Sequence, residues 1–334
     1  MRAPRISVLM PVRDAAATLD VSIRSIQMQT RSDWELLLWD DDSTDESSAM
    51  LDAFACADPR IRKLGHERVG ITEALRRLAD AAAAPLLARM DADDFAYPAR
   101  FERQYALLDA QPDAGLVGTR VRLFGPEVHS GARRYEAWMN GLLSPEEHRR
   151  ERFVECPIAH PAFMMRREAY AAAGGYQPAA WPEDYDLLLR LLAAGWECAK
   201  TEQVLLDWRD TPQRLSRTDC RYAEAAFRAL KRARLFESAL AGRALWYQWG
   251  AGEVGKRWLR EWGTRPPAAV VDIRPAKLGQ TIHGVAVIPP ESLPIPESVG
   301  FILIAVGTPG ARDIIRKRLQ PCGYIEDRHY LFVA

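Results

Sequence analysis

The sequence predicts an α/β fold, with a mostly parallel sheet flanked by helices and then a second, smaller α/β unit. Three observations carry this expectation. Through the first two thirds of the chain, short apolar runs of strand length alternate with segments of helical periodicity, the pattern of βα units in a parallel sheet. Two of those runs end in aspartate clusters, Asp40-Asp41-Asp42 and Asp91-Ala92-Asp93-Asp94, and ligands bind open α/β sheets just outside the carboxyl ends of strands. Near the C-terminus, Gly250-Ala251-Gly252-Glu253-Val254-Gly255 separates another apolar run from a helical one and opens the second unit.

Length and composition fit this picture. A chain of 334 residues is long enough for two domains, and its 48% apolar content supports packed cores. Basic and acidic residues balance at 45 each, so the net field gives no case for capture of nucleic acid. Cys56, Cys156, Cys198, Cys220 and Cys322 are odd in number and lack a CxxC spacing, which argues against a disulfide framework and a zinc site. They read as reduced thiols. From Met1 the chain passes Arg2 and Arg5 into a strand, and no run approaches the roughly 18 apolar residues of a membrane span. The expectation is a soluble cytoplasmic protein without a transmembrane segment, for which peripheral membrane contact stays open.

Taken in order, Ile6 to Val12 is a strand, and Ala15 to Gln29 carries Leu19, Ile23 and Ile26 at helical spacing. Trp34 to Trp39 is the second strand, followed by the acidic turn through Asp45 and a helix around Met50 to Ala55. Ile61 to Leu64 with Ile71 to Ala82 makes the third unit, and Pro85 to Met90 the fourth strand. A helix from Pro98 to Ala110 and a strand from Gly115 to Phe124 follow; the Arg-rich stretch near 126–152 has no clear period. Order resumes at His160 to Arg167, passes Gly174-Gly175-Tyr176, and reaches an apolar helix that opens on Glu183-Asp184. An Ala-, Arg- and Lys-rich helix from Asp219 to Ala241 precedes the tail, which has strands at Ala244 to Trp249, Ala268 to Val271 and Phe301 to Val306. The expected division is 1–218, a helical connector at 219–242, and 243–334.

Crowded carboxylates such as Asp91, Asp93 and Asp94 raise one another's pKa unless a hard divalent cation holds them ionised. Mg2+ or Mn2+ is the expected partner, and diphosphates carry the same ions. A solvated turn capping the helix near Pro98 is the plainer alternative, as a favourable helix dipole is for Glu183 and Asp184. In the tail, Gly250, Gly252 and Gly255 permit a phosphate to approach the helix N-terminus, and Asp272 stands where a ribose-binding acid is expected. That pattern predicts a Rossmann-like module, too short for a complete dehydrogenase, that binds a nucleotide or only packs against its neighbour. The tryptophans at 246, 249, 258 and 262 suit a core or interface better than a base-stacking platform.

Together, Pro11 to Asp14, Asp40 to Asp45, Asp91 to Asp94 and Glu183-Asp184 resemble, in order and spacing, the family 2 glycosyltransferases, which have the GT-A fold. The resemblance covers residues 4–217. It implies an inverting enzyme that takes a sugar from a nucleoside-diphosphate donor, with a UDP-sugar favoured, and passes it to a glycan or lipid-linked acceptor. Surface polysaccharide or glycoconjugate assembly is the implied setting. Pro11, Val12 and Arg13 at the first strand end, with Asp41 and Asp40, would hold the base and ribose. Asp91 would face the ribose, Asp93 would ligate the metal with support from Asp94, and Asp184 would be the general base. By resemblance His160 is part of an active-site wall, whereas as a lone His it reads first as a hydrogen-bonded structural residue. Glu183, His160, Trp208 and Arg209 are the implied donor or acceptor contacts, and Trp208-Arg209 with Arg214 to Arg217 match a loop that in relatives folds over the donor.

Departures from the family pattern are visible. Relatives often have Asn where Asp14 stands and Gly where Asp42 stands, and Thr211 replaces a metal-binding His. Asp accepts left-handed backbone better than most residues. Arg13 and Arg89, near strand ends, could meet phosphate or be ordinary surface arginines. Two other readings remain at this point. A sugar nucleotidyltransferase would have a basic Gly-rich loop after its first strand, where this chain has Pro11-Val12-Arg13-Asp14-Ala15; a non-catalytic nucleotide-binding scaffold would not need intact acidic runs.

Overall fold

The computed structural model describes residues 3–126, 128–212, 214–298 and 300–334. Met1, Arg2 and, within the unassigned stretch, Glu127 lie outside them. The chain divides into two units, one of residues 1–148 and 156–223, the other of 149–155 and 224–334.

In the first unit, β1 (Ile6–Val12), α1 (Ala16–Gln27), β2 (Trp34–Asp40), α2 (Ser47–Ala57), β3 (Ile61–His66), α3 (Ile71–Ala81) and β4 (Leu86–Arg89) are successive βα units. Nearly every side chain of β1, β2 and β4 is buried, which is why these strands read as unbroken apolar runs rather than alternating ones. Next come β5 (Phe95–Ala96), α4 (Arg100–Ala110), β6 (Ala114–Phe124), α5 (Ser130–Gly141), α6 (Pro145–Glu151), β7 (Met164–Arg166), α7 (Arg167–Ala172), α8 (Glu183–Ala193), β8 (Glu197–Arg209) and α9 (Leu215–Thr218). The eight strands form one sheet in the order β3-β2-β1-β4-β7-β6-β8-β5. It is mostly parallel; β7 runs antiparallel to β4 and β6, and β5 antiparallel to β8.

Register brings the functional loops to one edge. Val12 pairs with Asp40 and Asp40 with His66, so β1 to β3 end together, and β4 ends on the same side with Arg89 paired to Leu9. Because β7 is reversed, its beginning meets the end of β4: Met164 pairs with Ala88, and the Arg89 N–H donates to the Phe163 carbonyl. The 3-10 turn His160–Ala162 therefore sits beside the end of β4.

Several local expectations are corrected. The stretch without a clear period holds α5 and α6; the His129 side chain caps α5 by accepting from the Ala132 N–H. Trp208 and Arg209 end β8 rather than lying in a loop, since β8 pairs along β6 as far as Phe124 and Arg209. The expected helix from Asp219 is interrupted. Asp219 accepts from the Arg221 N–H in the 3-10 turn Cys220–Tyr222, and α10 (Glu224–Glu237) starts afresh.

The second unit has β9 (Tyr247–Trp249), α11 (Glu253–Glu261), β10 (Val270–Val271), β11 (Thr281–Ile282), β12 (Val285–Ile288), β13 (Ile302–Ile304), α12 (Ala311–Leu319) and β14 (Tyr330–Phe332). Its strands are shorter than their apolar runs, and the six-stranded sheet has the order β11-β12-β10-β9-β13-β14. Among the described residues only the β11–β12 pairing is antiparallel. Trp249, Val271, Ile302, Ile304 and Phe332 pack with α12 into the core. Trp246 and Trp258 each approach Trp262 with ring centroids 4.9 Å apart, so these faces are spent on one another.

Candidate active site

The end of β4 brings Asp91, Asp93 and Asp94 together, each offering an oxygen within 4.8 Å of the others. Asp94 is buried. Its Oδ1 accepts the Arg209 backbone N–H at 2.7 Å, while its Oδ2 has no partner among the described residues. Burial and then the charge of Asp91 push the Asp93 carboxyl up to about 6, and the same causes raise Asp94 well above its ordinary value. A divalent cation would reverse both shifts and occupy the orphaned oxygen, so the three carboxylates fit Mg2+ or Mn2+.

Behind this cluster, the fully buried Arg89 donates from Nη2 to Asp91 Oδ1 at 2.6 Å. The expectation that Arg89 meets phosphate is thereby corrected, because its guanidinium faces inward. Ser22 and Thr18 of α1 donate to the Asp91 and Ala92 carbonyls at 2.8 and 3.0 Å and fix the loop from below.

Glu183 and Asp184 start α8 after Pro182. Burial and then the neighbouring Glu183 charge push the Asp184 carboxyl up to about 7. Its Oδ1 accepts the Tyr185 N–H at 2.8 Å. Glu183 is buried, and Tyr222 donates to both its oxygens, at 2.7 and 3.0 Å. His160 is buried too, with Nε2 2.7 Å from the Tyr176 hydroxyl and Nδ1 3.6 Å from Glu183. Burial, reinforced by Arg89, holds its pKa well below the usual imidazole range, so the ring is neutral.

At the end of β2, Asp40 is fully buried; its Oδ1 accepts from the Ser43 N–H and its Oδ2 lies 2.8 Å from His66 Nδ1. Burial opposes ionisation there, yet hydrogen bonds from Ser43, Ser48 and His66 outweigh it and keep the carboxyl below its ordinary value. Asp41 Oδ1 accepts from the Val69 and Gly70 N–H groups, both at 2.7 Å. Pro11 and Val12 lie beside them by register, and Arg13 is exposed, 3.6 Å from Asp14. At the end of β8, Arg209 Nε donates to the Asp93 carbonyl at 2.9 Å and the Arg214 guanidinium lies over Trp208, 4.2 Å from its centroid.

A profile of the glycosyl transferase family 2 domain matches residues 7–174. The chain belongs to glycosyl transferase family 2. Over 235 residues it is 29% identical to the O-antigen biosynthesis glycosyltransferase WbnJ of Escherichia coli, covering 68% of this chain and 87% of that protein. TarS of S. aureus in complex with UDP-GlcNAc has a similar fold, with a TM-score of 0.52 at 13% identity over 77% of this chain and 79% of that one. The mannosyltransferase PcManGT from Pyrobaculum calidifontis, in complex with GDP-Man and Mn2+, gives a TM-score of 0.50 at 17% identity over 72% and 64%.

The departures from the family 2 pattern have local explanations. Asp14 and Asp42 adopt φ values of 46° and 63°, the left-handed region where relatives often have Asn and Gly. Asp14 steadies its turn by accepting from the Thr44 N–H at 2.7 Å. After Arg209, Asp210 is buried and gathers Arg217 at 2.8 Å and Arg214 at 3.6 Å, so ion pairs organise the segment around Thr211. No signal in the sequence pointed to Tyr222: a lone tyrosine carries no motif, and its contact with Glu183 spans 39 residues.

In the second unit, the Asp272 carboxylate turns onto its own glycine loop, accepting from the Ala251 N–H at 3.0 Å and the Arg274 N–H at 2.9 Å. A Cβ on Gly255 would lie 1.9 Å from the Gly250 carbonyl oxygen, and one on Gly250 2.5 Å from that of Ala305. Gly252 has ordinary φ and meets only the Arg274 guanidinium, at 3.3 Å. Tight packing thus accounts for two of the three glycines.

Proposed function

We propose that this glycosyltransferase is inverting and metal-dependent, moving a sugar from a nucleoside diphosphate, with UDP favoured, to a hydroxyl of a glycan or lipid-linked acceptor. The observation that carries the reading is the pairing of a metal-suited acidic cluster with a separate carboxyl whose pKa lies near neutrality. A general base is most effective when its pKa is close to the working pH. Asp184 takes the proton of the acceptor hydroxyl as that oxygen attacks the anomeric carbon; the bond from that carbon to the donor's phosphate oxygen breaks, and its electron pair leaves with the diphosphate. Asp93 and Asp94, with Asp91 adjacent, would hold Mg2+ or Mn2+, which would neutralise charge on the leaving diphosphate.

On this reading Pro11, Val12 and Asp41 Oδ2 line the base side. Asp40, whose oxygens are engaged by Ser43 and His66, shapes that wall from behind. Trp208 and Arg209 close the diphosphate side, and the neutral His160 is part of the wall behind Glu183. The bound UDP-GlcNAc of TarS and the GDP-Man and Mn2+ of PcManGT support a nucleotide-sugar and a metal. The name of WbnJ supports a setting in surface polysaccharide assembly. No helix among the described residues is long and apolar enough to cross a membrane. We assign residues 1–218 to the transferase domain, 219–242 to a connector and 243–334 to a Rossmann-like module, in which the turn of Gly250, Gly252, Gly255 and Asp272 is the candidate nucleotide site.

A thermal-shift panel of UDP-, GDP- and dTDP-sugars with and without Mn2+ tests the reading, because a ligand that binds only the native state raises its stability by mass action. A donor shift that needs Mn2+ and vanishes in Asp93→Ala is expected. Equal donor response in wild type and variant would overturn the metal assignment.

A further inference from the structure

Asp184 does not stand alone at the start of α8. Its neighbour Glu183 is buried, and the Tyr222 hydroxyl donates to that carboxylate at 2.7 Å from the 3-10 turn Cys220–Tyr222. Four further groups face the pair. Arg89 comes from β4, His160 and Tyr176 from the segment around β7 and the Gly-Gly turn, and Arg221 from the same turn as Tyr222. Arg221 is itself held by Asp219 at 2.7 Å.

We propose that Tyr222 is a positioning residue for sugar transfer: by donating to Glu183 it keeps that side chain a carboxylate, and the fixed negative charge beside Asp184 sets the strength of the base. The proposal rests on Asp184 being the base. Its physical steps are separable. Burial and the Glu183 charge push the Tyr222 phenol up, so it remains a donor throughout the working range. A donor to the charged form of a carboxyl favours that form, and a like charge nearby disfavours ionisation of the next carboxyl. Burial raises the pKa of Glu183, and the Tyr222 hydrogen bond is the foremost influence opposing it. Without that hydroxyl, the proton shared by the pair moves toward Glu183, and Asp184 becomes a carboxylate at lower pH but a weaker base. His160 is neutral and its Nδ1, at 3.6 Å, is beyond hydrogen-bond range of Glu183. It does not replace the tyrosine.

The test is a carbon-13 NMR titration of the side-chain carboxyls in the full chain with Mg2+, the Asp184 signal being assigned by its loss in Asp184→Asn. In Tyr222→Phe the Asp184 midpoint is expected to fall by roughly one pH unit while that of Glu183 rises. Glu183→Gln should lower the Asp184 midpoint in the same direction, and adding Tyr222→Phe should then change nothing further, since the tyrosine acts through Glu183. An Asp184 midpoint unmoved in folded Tyr222→Phe overturns the proposal. So does a Tyr222→Phe shift that persists in the Glu183→Gln background. Because Glu183→Gln leaves Tyr222 in place, it reports on the coupling even if the tyrosine variant folds poorly: an unmoved midpoint there also overturns the proposal. The titration needs no substrate, so it is decided separately from the base assignment, which loss of transfer in Asp184→Asn tests.

Discussion

The backbone N–H of Arg209, the last residue of β8, donates to Asp94 Oδ1 at 2.7 Å across 115 residues of sequence. That one bond fixes the Asp94 carboxyl at the end of β4, while Oδ2 is buried without a partner among the described residues. Metal-free protein therefore pays for a crowded, partly ionised cluster, which suggests how the cluster responds to substitution. Asp94→Asn and Asp93→Asn should each raise the melting temperature of metal-free protein at pH 7.5 and each abolish the rise that Mn2+ produces in wild type. For Asp93 the sign follows from a folded pKa of about 6 against an ordinary 3.8: ionisation destabilises the fold, so the advantage of Asp93→Asn should disappear as pH falls below that window. Differential scanning fluorimetry at pH 5 and 7.5, with and without Mn2+, measures all of this. Loss of stability in metal-free Asp93→Asn at pH 7.5 would contradict it.

The second prediction concerns Asp184. With its carboxyl pushed up to about 7, the basic form is lost as pH drops through neutrality, so kcat should fall about tenfold per pH unit below that point. Asp184→Asn should keep the Mn2+-dependent donor shift and lose transfer by roughly a hundred- to ten-thousand-fold. Steady-state release of nucleoside diphosphate between pH 5.5 and 8.5 gives the profile. A flat profile would remove Asp184 as the titrating base.

Much of this site was legible in the sequence because its aspartates end strands, and an apolar run closed by acids marks both the strand and its rim. The left-handed turns at Asp14 and Asp42 were legible for a similar reason, since few side chains other than Asn and Asp tolerate that backbone. What escaped notice depends on contacts between distant segments. Arg89 looked like a phosphate ligand because it ends a strand, but the short reach to Asp91 and the enclosure by β7 turn it inward. The loop reading of Trp208 and Arg209 rests on the family resemblance alone; the strand that carries them has exposed residues at Glu202, Gln203 and Val204, where its pairing with β6 shifts register, so no unbroken apolar run announces it. In α5, only Met139 is buried, so no apolar stripe announced the helix.

Arg217 should matter through Asp210. That carboxylate is buried, and Arg217 Nη2 meets its two oxygens at 2.9 and 2.8 Å while Arg214 stands at 3.6 Å. Arg217→Ala leaves Arg214 to compensate from a poorer distance, drawing it away from Trp208. A stability loss of about 1 kcal/mol is expected, reduced because Arg217 is partly exposed. Donor KM should rise with little change in kcat, as the segment that borders the diphosphate side loosens. An unchanged KM in initial-rate measurements would separate this ion pair from donor binding.

The glycines of the second unit divide by what surrounds them. A methyl group on Gly255 would strike the Gly250 carbonyl oxygen, itself held by a φ of +116° that only glycine adopts readily. Backbone cannot yield as a side chain does, so Gly255→Ala should destabilise the unit by about 2 kcal/mol or more. Gly252→Ala meets only the end of the Arg274 side chain, which can swing aside, and should leave the melting temperature within about 1 °C of wild type, as for a surface substitution. Nucleotide binding distinguishes the two positions in the opposite sense. If a phosphate approaches the start of α11, a Cβ at Gly252 lies in its path, so the nucleotide-induced shift assigned to this unit should be lost in Gly252→Ala while the fold persists. Calorimetric unfolding paired with UDP, GDP and NAD titrations reads both outcomes. A full nucleotide response in Gly252→Ala would mean that the glycine turn serves packing alone.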